Sequence, residues 1–413
     1  MDPLTTAFPE VPIPVCGEHV RAGDDSGGAA SCEPGPCTTV CRMSVSPAAA
    51  AAPSTLPPVA ADLDDVVVLG VPFWGWQIAL AAAGVIVLLL LARTIWSPSP
   101  RSLRAWALGN IVVNAGIAVT GAVVRVTSSG LGCSEWPRCT PESFVPTNTG
   151  HTAFNAAVEF GNRTLTFLVL VVGVITLLAV LRSVPRRRDL TLMAAIVPGG
   201  VLGQGVVGGI TVWTDLHPAS VATHFLLSMV MVFVTVALYV RLQEPRGKPE
   251  VSVTPMLHVT SVALVVIGFL LLIAGTMTTG TGPHGGDASA PRWDLPLENV
   301  TRVHSVLAWL CLIGALAATV MAHRTGARRS VRLAATTLLV LTVAQGILGY
   351  VQYAFALPEY LVVLHVLGSG LTWIAISRLY FSTTRLVPDG EKLIDDPVAR
   401  AEEHAPAGPA PER

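Results

Sequence analysis

Gln204-Gly-Val-Val-Gly208 is followed, 20 residues after its glutamine, by His224, and Gln345-Gly-Ile-Leu-Gly349 is followed at the same distance by His365. One motif therefore occurs twice, and each copy sits inside a long apolar run. Further pairs extend the repeat. The offset of 141 that relates Gln204, Gly208 and His224 to Gln345, Gly349 and His365 becomes 142 between Asn162 and His304, and 154 between Gly121 or Thr127 and Gly275 or Thr281. A drift of this size reflects loop length, so the second half of the chain reads as a duplicate of the first.

The composition fixes the environment of that duplicate. Of 413 residues, 52% are hydrophobic and only 13% charged, too little charge to coat a soluble core of this size. A helix needs roughly 20 apolar residues to cross a hydrocarbon layer of ~30 Å. Nine runs of that kind are read, at about 73–95, 103–126, 155–181, 190–212, 218–240, 256–278, 301–322, 332–353 and 360–381. The fold class expected is an all-α polytopic membrane protein, an eight-helix bundle of two repeated four-helix halves with one extra N-terminal transmembrane helix. The near-neutral net charge gives no reason to expect nucleic acid as a partner, and membrane lipid is the expected surroundings.

Basic residues alternate between loops. Arg93, Arg101 and Arg104, then Arg182 with Arg186 to Arg188, then Arg241, Arg246 and Lys248, then Arg324, Arg328, Arg329 and Arg332 mark the cytoplasmic side. The C-terminus is then cytoplasmic, and loops 127–154, 213–217, 279–300 and 354–359 face outward. Each half contains an even number of helices, so an axis along the membrane normal would relate them. The resulting division is a disordered segment 1–70, the extra helix 73–95, a first half 103–242, a second half 256–381, and a disordered tail 382–413. The N-terminal segment holds Cys16, Cys32, Cys37 and Cys41 with His19. Their spacing fits zinc-finger patterns poorly, and translation from Met43 would delete them.

The special residues cluster at the outward ends of helices. Imidazole inside a bilayer is costly and is usually there for function. His304 and His365 would begin parallel helices at one depth, where they can approach a flat macrocycle from both faces and serve as the two axial ligands of a haem iron. Hydrogen-bonded packing is the alternative for either histidine taken alone. In the first half His224 matches His365, but Asn162 stands where His304 would, and Asn is a poor iron ligand. That half would hold a haem with one face open. Glu159 lies three residues before Asn162, on the same helical face, and a carboxylate there points to proton handling or to an ion pair with Arg163 or Arg125. In the outward loop, Cys133 and Cys139 fit a disulfide in an oxidising compartment, with two free thiols as the alternative. Cys311 reads as a small buried hydrophobe, and His217, His258, His284 and His323 as loop or helix-end residues. Arg125, Arg163, Arg292 and Arg302 all lie near the outer surface, where a guanidinium could grip a porphyrin propionate.

Thr120-Gly-Ala-Val-Val-Arg-Val-Thr-Ser-Ser-Gly-Leu-Gly-Cys-Ser-Glu-Trp-Pro-Arg-Cys139, followed by Glu159-Phe-Gly-Asn-Arg163 and the later histidines, resembles the haem A synthase family over about residues 103–381. The Thr-Gly-Pro-His-Gly-Gly-Asp loop from Thr281 and Asn162 itself resemble its actinobacterial type. The resemblance implies a membrane oxidoreductase of the plasma membrane that oxidises the ring methyl of haem O to a formyl group by successive hydroxylation, for biogenesis of a haem-copper terminal oxidase. It implies haem b held by His304 and His365, haem O as substrate on His224 beside Asn162 and Arg163, an essential acid in Glu159, and a redox-active pair in Cys133 and Cys139. Haem O synthase and terminal oxidase assembly factors would be its partners, together with an electron acceptor that the sequence does not name; a homo-oligomer is compatible. Many members carry His at the position of Asn162, and the arginine present as Arg163 is replaced by Ser305 in the second half. A bis-His two-haem electron carrier of the quinol-linked type is the main rival. A transporter is the third, and it would need polar residues at mid-helix.

Overall fold

The computed structural model describes residues 67–68, 71–147 and 152–388. The N-terminal cysteine cluster, Met43 and the end of the tail lie outside them. The chain divides into two units, residues 1–79 and 80–413. In the first, strand β1 (Val67–Val68) pairs antiparallel with β2 (Val71–Pro72), so hydrogen-bonded backbone reaches into the segment expected to be disordered. Helix α1 (Phe73–Trp96) follows. Within the second unit its end is held by the Trp106 indole, which donates to Thr94 Oγ1 at 3.1 Å, and by Arg182, which stands 4.5 Å over the Trp96 ring.

Eight more helices follow: α2 (Pro100–Val126), α3 (Ala153–Leu181), α4 (Arg188–Trp213), α5 (Pro218–Arg241), α6 (Pro255–Thr281), α7 (Leu297–Arg324), α8 (Arg329–Ala354) and α9 (Glu359–Ser382). Among the described residues these eight are long and apolar enough to cross a membrane. The chain is an all-α multi-pass membrane protein, with helix ends within four residues of those read from the sequence. The extra helix forms where it was expected, and its run Gly84–Trp96 is apolar. Its role as a ninth span is a proposal, supported by the exposure of Val85, Ile86, Leu88 and Leu89, which lipid would cover.

Each half closes into a ring in which neighbours in sequence are neighbours in space, with α2 against α5 and α6 against α9. Between halves, α5 packs on α9, α2 on α9 and α5 on α6. Exchanging the halves leaves that pattern unchanged, as a two-fold axis passing between α5 and α9 requires. The repeat extends to backbone conformation. Asp215 and Leu216, between α4 and α5, have φ of 49° and 58°; Ala356 and Leu357, 141 positions later, have 58° and 60°. Four non-glycine residues are thus left-handed, a costly choice for leucine, and each pair is closed by the same long turn, Leu216 N–H to the Thr211 carbonyl and Leu357 N–H to that of Gln352, both 2.8 Å.

Packing is uneven along the helices. The main core joins Met229, Val232 and Val236 of α5 to Trp373, Ile376 and Leu379 of α9 and to Leu257, Leu264, Ala315, Ala318, Ala335 and Leu338. All but a few of these lie toward the ends marked by basic loops. Alanines on α7 and α8 let those backbones approach, which is how helices associate where lipid removes the hydrophobic drive. The Trp373 indole donates to the Met229 carbonyl at 2.8 Å and pins the halves together. The same end carries an element the sequence reading missed. Strand β3 (Lys248–Val251) pairs antiparallel with β4 (Thr384–Val387), so the tail expected to be disordered from 382 is ordered to residue 388. Arg241 explains it: buried, it bonds Glu244 at 2.7 Å and the Thr384 hydroxyl at 2.6 Å, and a buried guanidinium needs such partners.

Candidate functional site

At the opposite ends the bundle is hollow. A cavity of about 1450 Å³ runs through both halves and is lined by His224, His304, His365, Asn162 and Glu159. His304 on α7 and His365 on α9 face each other, their ring centroids 6.3 Å apart. Two imidazoles sharing one metal atom at metal–nitrogen distances of about 2 Å have centroids roughly 6 Å apart. In each ring Nδ1 is buried without a formed hydrogen bond, that of His304 lying toward the Leu271 backbone. Nε2 is neither buried nor hydrogen-bonded, which leaves it as the nitrogen open to the cavity. Two rings facing each other at this distance suit a single iron between them, which would take both Nε2 lone pairs and leave each ring protonated on Nδ1. The residues present therefore fit a bis-His haem.

The duplicated motif seats these rings. Gln345 Nε2 donates to the His365 carbonyl at 2.8 Å, and Gln204 Nε2 to the His224 carbonyl at 3.2 Å and to Ser228 Oγ at 2.7 Å. Each glutamine ties the helix carrying the ligand to its neighbour. Gly349, Gly208 and Gly275 face the rings themselves: a Cβ at these positions would stand 3.4 Å from His365, 3.5 Å from His224 and 3.3 Å from His304. At Gly275 a Cβ would press on the ring, and at Gly349 and Gly208 it would just touch it, so a larger side chain at any of the three meets the imidazole. Gly349→Val is accordingly expected to displace the His365 ring and to cost at least tenfold in haem retained by the second half, read as loss of the low-spin absorption of purified protein.

The first half differs. His224 has the same orphaned Nδ1, but Asn162, which stands in the repeat where His304 does, is held by Thr120, whose hydroxyl donates to Asn162 Oδ1 at 2.7 Å. By the repeat, this half offers one imidazole and one fixed amide. Glu159 lies a turn away on α3 and is 4% exposed. Its Oε2 accepts from the Cys133 N–H at 2.6 Å, and its Oε1 accepts from Arg163. Both sequence readings of this carboxylate are therefore compatible with its position, and its partner is Arg163. Arg125 instead reaches into the second half.

Arg163 has a different set of partners from the porphyrin expected for it. Nε and Nη2 bond Glu159, Nη2 also bonds the Cys133 carbonyl at 3.0 Å, and Nη1 bonds the carbonyls of Glu135 and Arg138 at 2.7 and 3.0 Å. All five of its N–H donors are used, and they hold the outward loop. That loop is closed by a Cys133–Cys139 disulfide, and both cysteines are buried. Trp136 leans on Gly209, where a Cβ would come within 2.7 Å, and meets Trp213 edge-on at 5.6 Å. The remaining histidines are local, as expected: His284 bonds the Leu357 carbonyl, His258 the Thr383 hydroxyl and His323 the Thr336 hydroxyl. Cys311 is buried. Among the described residues no other cluster of His, Cys, Asp and Glu could hold a metal ion.

Sequence reasoning missed the roles of Thr120, Gly275 and the two glutamines. The signal was present in the repeated Gln and Gly spacing, but a carbonyl as the partner of a glutamine leaves no mark in a sequence.

Comparison with known proteins gives the same outline. Residues 104–377 match the family described as cytochrome oxidase assembly protein, COX15-CtaA. A heme A synthase of Halalkalibacterium halodurans is 30% identical over 152 residues, covering 36% of this chain and 49% of that protein. One of Symbiobacterium thermophilum is 30% identical over 190 residues, 44% of this chain and 60% of its own length. The chain thus spans about half the length of these two relatives. A heme A synthase of a Bradyrhizobium species is 26% identical over 338 residues, covering 70% of this chain and 92% of that protein. With the family match extending over both repeated halves, the chain belongs to the COX15-CtaA family of cytochrome oxidase assembly proteins.

Proposed function

We propose that this protein is a haem A synthase, a membrane oxidoreductase that converts the ring methyl of haem O to a formyl group. One observation carries the reading: the two repeated sites are unlike, the second built to saturate an iron from both sides and the first offering one imidazole and one amide, next to a buried carboxylate. His304 and His365 would hold haem b, and when bound that group supplies one-electron relay chemistry. The substrate haem O docks in the first half on His224. The disulfide loop, held down by Arg163 and Trp136, closes the site against water. Glu159 receives protons as the methyl carbon is oxidised, through Oε2, which has the Cys133 N–H as its sole partner and keeps acceptor capacity. Converting methyl to formyl removes four electrons and four protons and adds one oxygen atom; a water enclosed with the substrate supplies the oxygen, and an acceptor outside the chain takes the electrons and completes the reaction. The alternation of basic loops supports a cytoplasmic C-terminus, with the sites at the outer leaflet of the plasma membrane.

The bis-His electron carrier uses the same iron ligands but has no need of Glu159 beside an open site. Extraction of pigment from cells that express the chain and supply haem O separates the two. Haem A is the expected product; recovery of haem B and unmodified haem O alone would refute the synthase.

A further inference from the structure

Of the four outer arginines, two are already engaged with carboxylates. Arg163 is saturated by Glu159 and the disulfide loop, and Arg302 pairs with Glu298 at the surface. Arg125 and Arg292 instead donate to backbone carbonyls. Arg125, in the last turn of α2, donates from Nε to the His284 carbonyl at 2.5 Å and from Nη2 to the Thr279 carbonyl at 3.0 Å, while Nη1 bonds nothing. Arg292 lies in the adjoining loop, its guanidinium packed on Gly285 and held by the Pro283 carbonyl at 2.8 Å, next to Gly286, which meets the Arg125 stem.

The place of Arg125 in the repeat is informative. The offset of 154 that relates Thr127 to Thr281 makes Thr279 the counterpart of Arg125. Counterparts lie on opposite sides of the axis relating the halves, so a side chain that bonds its own counterpart has crossed to that axis. The outer loops meet at the same place, where the Gly130 N–H donates to the Gly286 carbonyl at 2.8 Å. The guanidinium also lines the cavity shared by His224, His304 and His365. Two neighbouring cations repel, and an anion seated there would lower that cost and gain charge-assisted hydrogen bonds.

We propose that Arg125, seconded by Arg292, is the carboxylate-binding group of the cavity, and that by standing on the axis it serves the propionates of the porphyrins in both halves. The assignment rests on the haem reading above and adds to it which residue holds the acid side chains. It also explains why an arginine of the first half bonds the loop of the second: it belongs to neither site alone.

The test uses the full chain, prepared free of haem and then loaded with iron protoporphyrin or with its dimethyl ester, which lacks the carboxylates. The wild-type protein is expected to retain the diacid at least about tenfold better than the diester. Arg125→Gln should reduce that preference to about twofold while the loaded diacid keeps its low-spin, bis-His spectrum. Arg125→Lys, which keeps the charge, should restore part of it. If Arg125 merely pins the loop, the glutamine variant binds both porphyrins less well and keeps the wild-type preference, and the proposal is overturned. A wild-type chain that takes up neither porphyrin refutes the haem reading and this assignment with it, a result distinct from an unchanged preference.

Discussion

Replacing His304 or His365 with alanine is expected to empty the second half of haem and to lower haem A formation by at least about 100-fold. The magnitude follows from the site. On the proposed reading each ring is one of two axial donors on an iron, and even groups that only orient a metal ligand typically cost 10–100-fold when removed. The measurement is the absorption spectrum of the purified chain, with haem A quantified in the cells that made it. His365→Met provides a check on folding, because a thioether can replace imidazole as an axial ligand and raises the reduction potential. That variant should keep its pigment with a shifted midpoint. Wild-type pigment and activity in His304→Ala would mean that the 6.3 Å facing of the two rings is a packing contact.

Glu159→Gln is expected to cost about 10²–10⁴-fold in conversion, the usual contribution of a positioned acid or base, while the second-half haem stays bound. A structural consequence has to be separated from the chemical one. The amide keeps the shape of the side chain but leaves the Arg163 guanidinium without its counter-charge, and breaking a buried pair costs about 3–5 kcal/mol. Arg163→Gln loosens the same loop from the other side. If Glu159 moves protons, its variant loses conversion well beyond the Arg163 variant and also loses any pH dependence carried by this group. Equal losses in the two variants, with unchanged pH profiles, would reduce Glu159 to a latch for the Cys133–Cys139 loop.

Much of this arrangement could be read in advance, for a physical reason. Bilayer spans leave a signal in composition, and duplicated spans leave it twice, so helices α2 to α9 and the facing of His304 and His365 followed from apolar runs and one recurring offset. Where side chains answer to backbone, the signal vanishes. Arg163 looked like a propionate partner because arginine near a porphyrin usually is one; its five donors go instead to Glu159 and three loop carbonyls, and carbonyls are present at every residue. The pairing of Thr384–Val387 with Lys248–Val251 was hidden for the same reason, since a four-residue ladder beyond the last helix has no periodicity to display. Leu216 and Leu357 in left-handed conformation run against what residue type predicts. Only their equal spacing in the two halves shows that they are built in and not accidental.

The hollow lies at one end of the helices and the solid core at the other. The two proposed porphyrin seats therefore stand at the same depth. An electron passing between them would travel sideways, parallel to the plane of the bilayer, and would cross none of the transmembrane voltage, which does work only on charge displaced along the normal. That transfer between the two sites would be electrically silent: its rate should be the same in energised and de-energised vesicles.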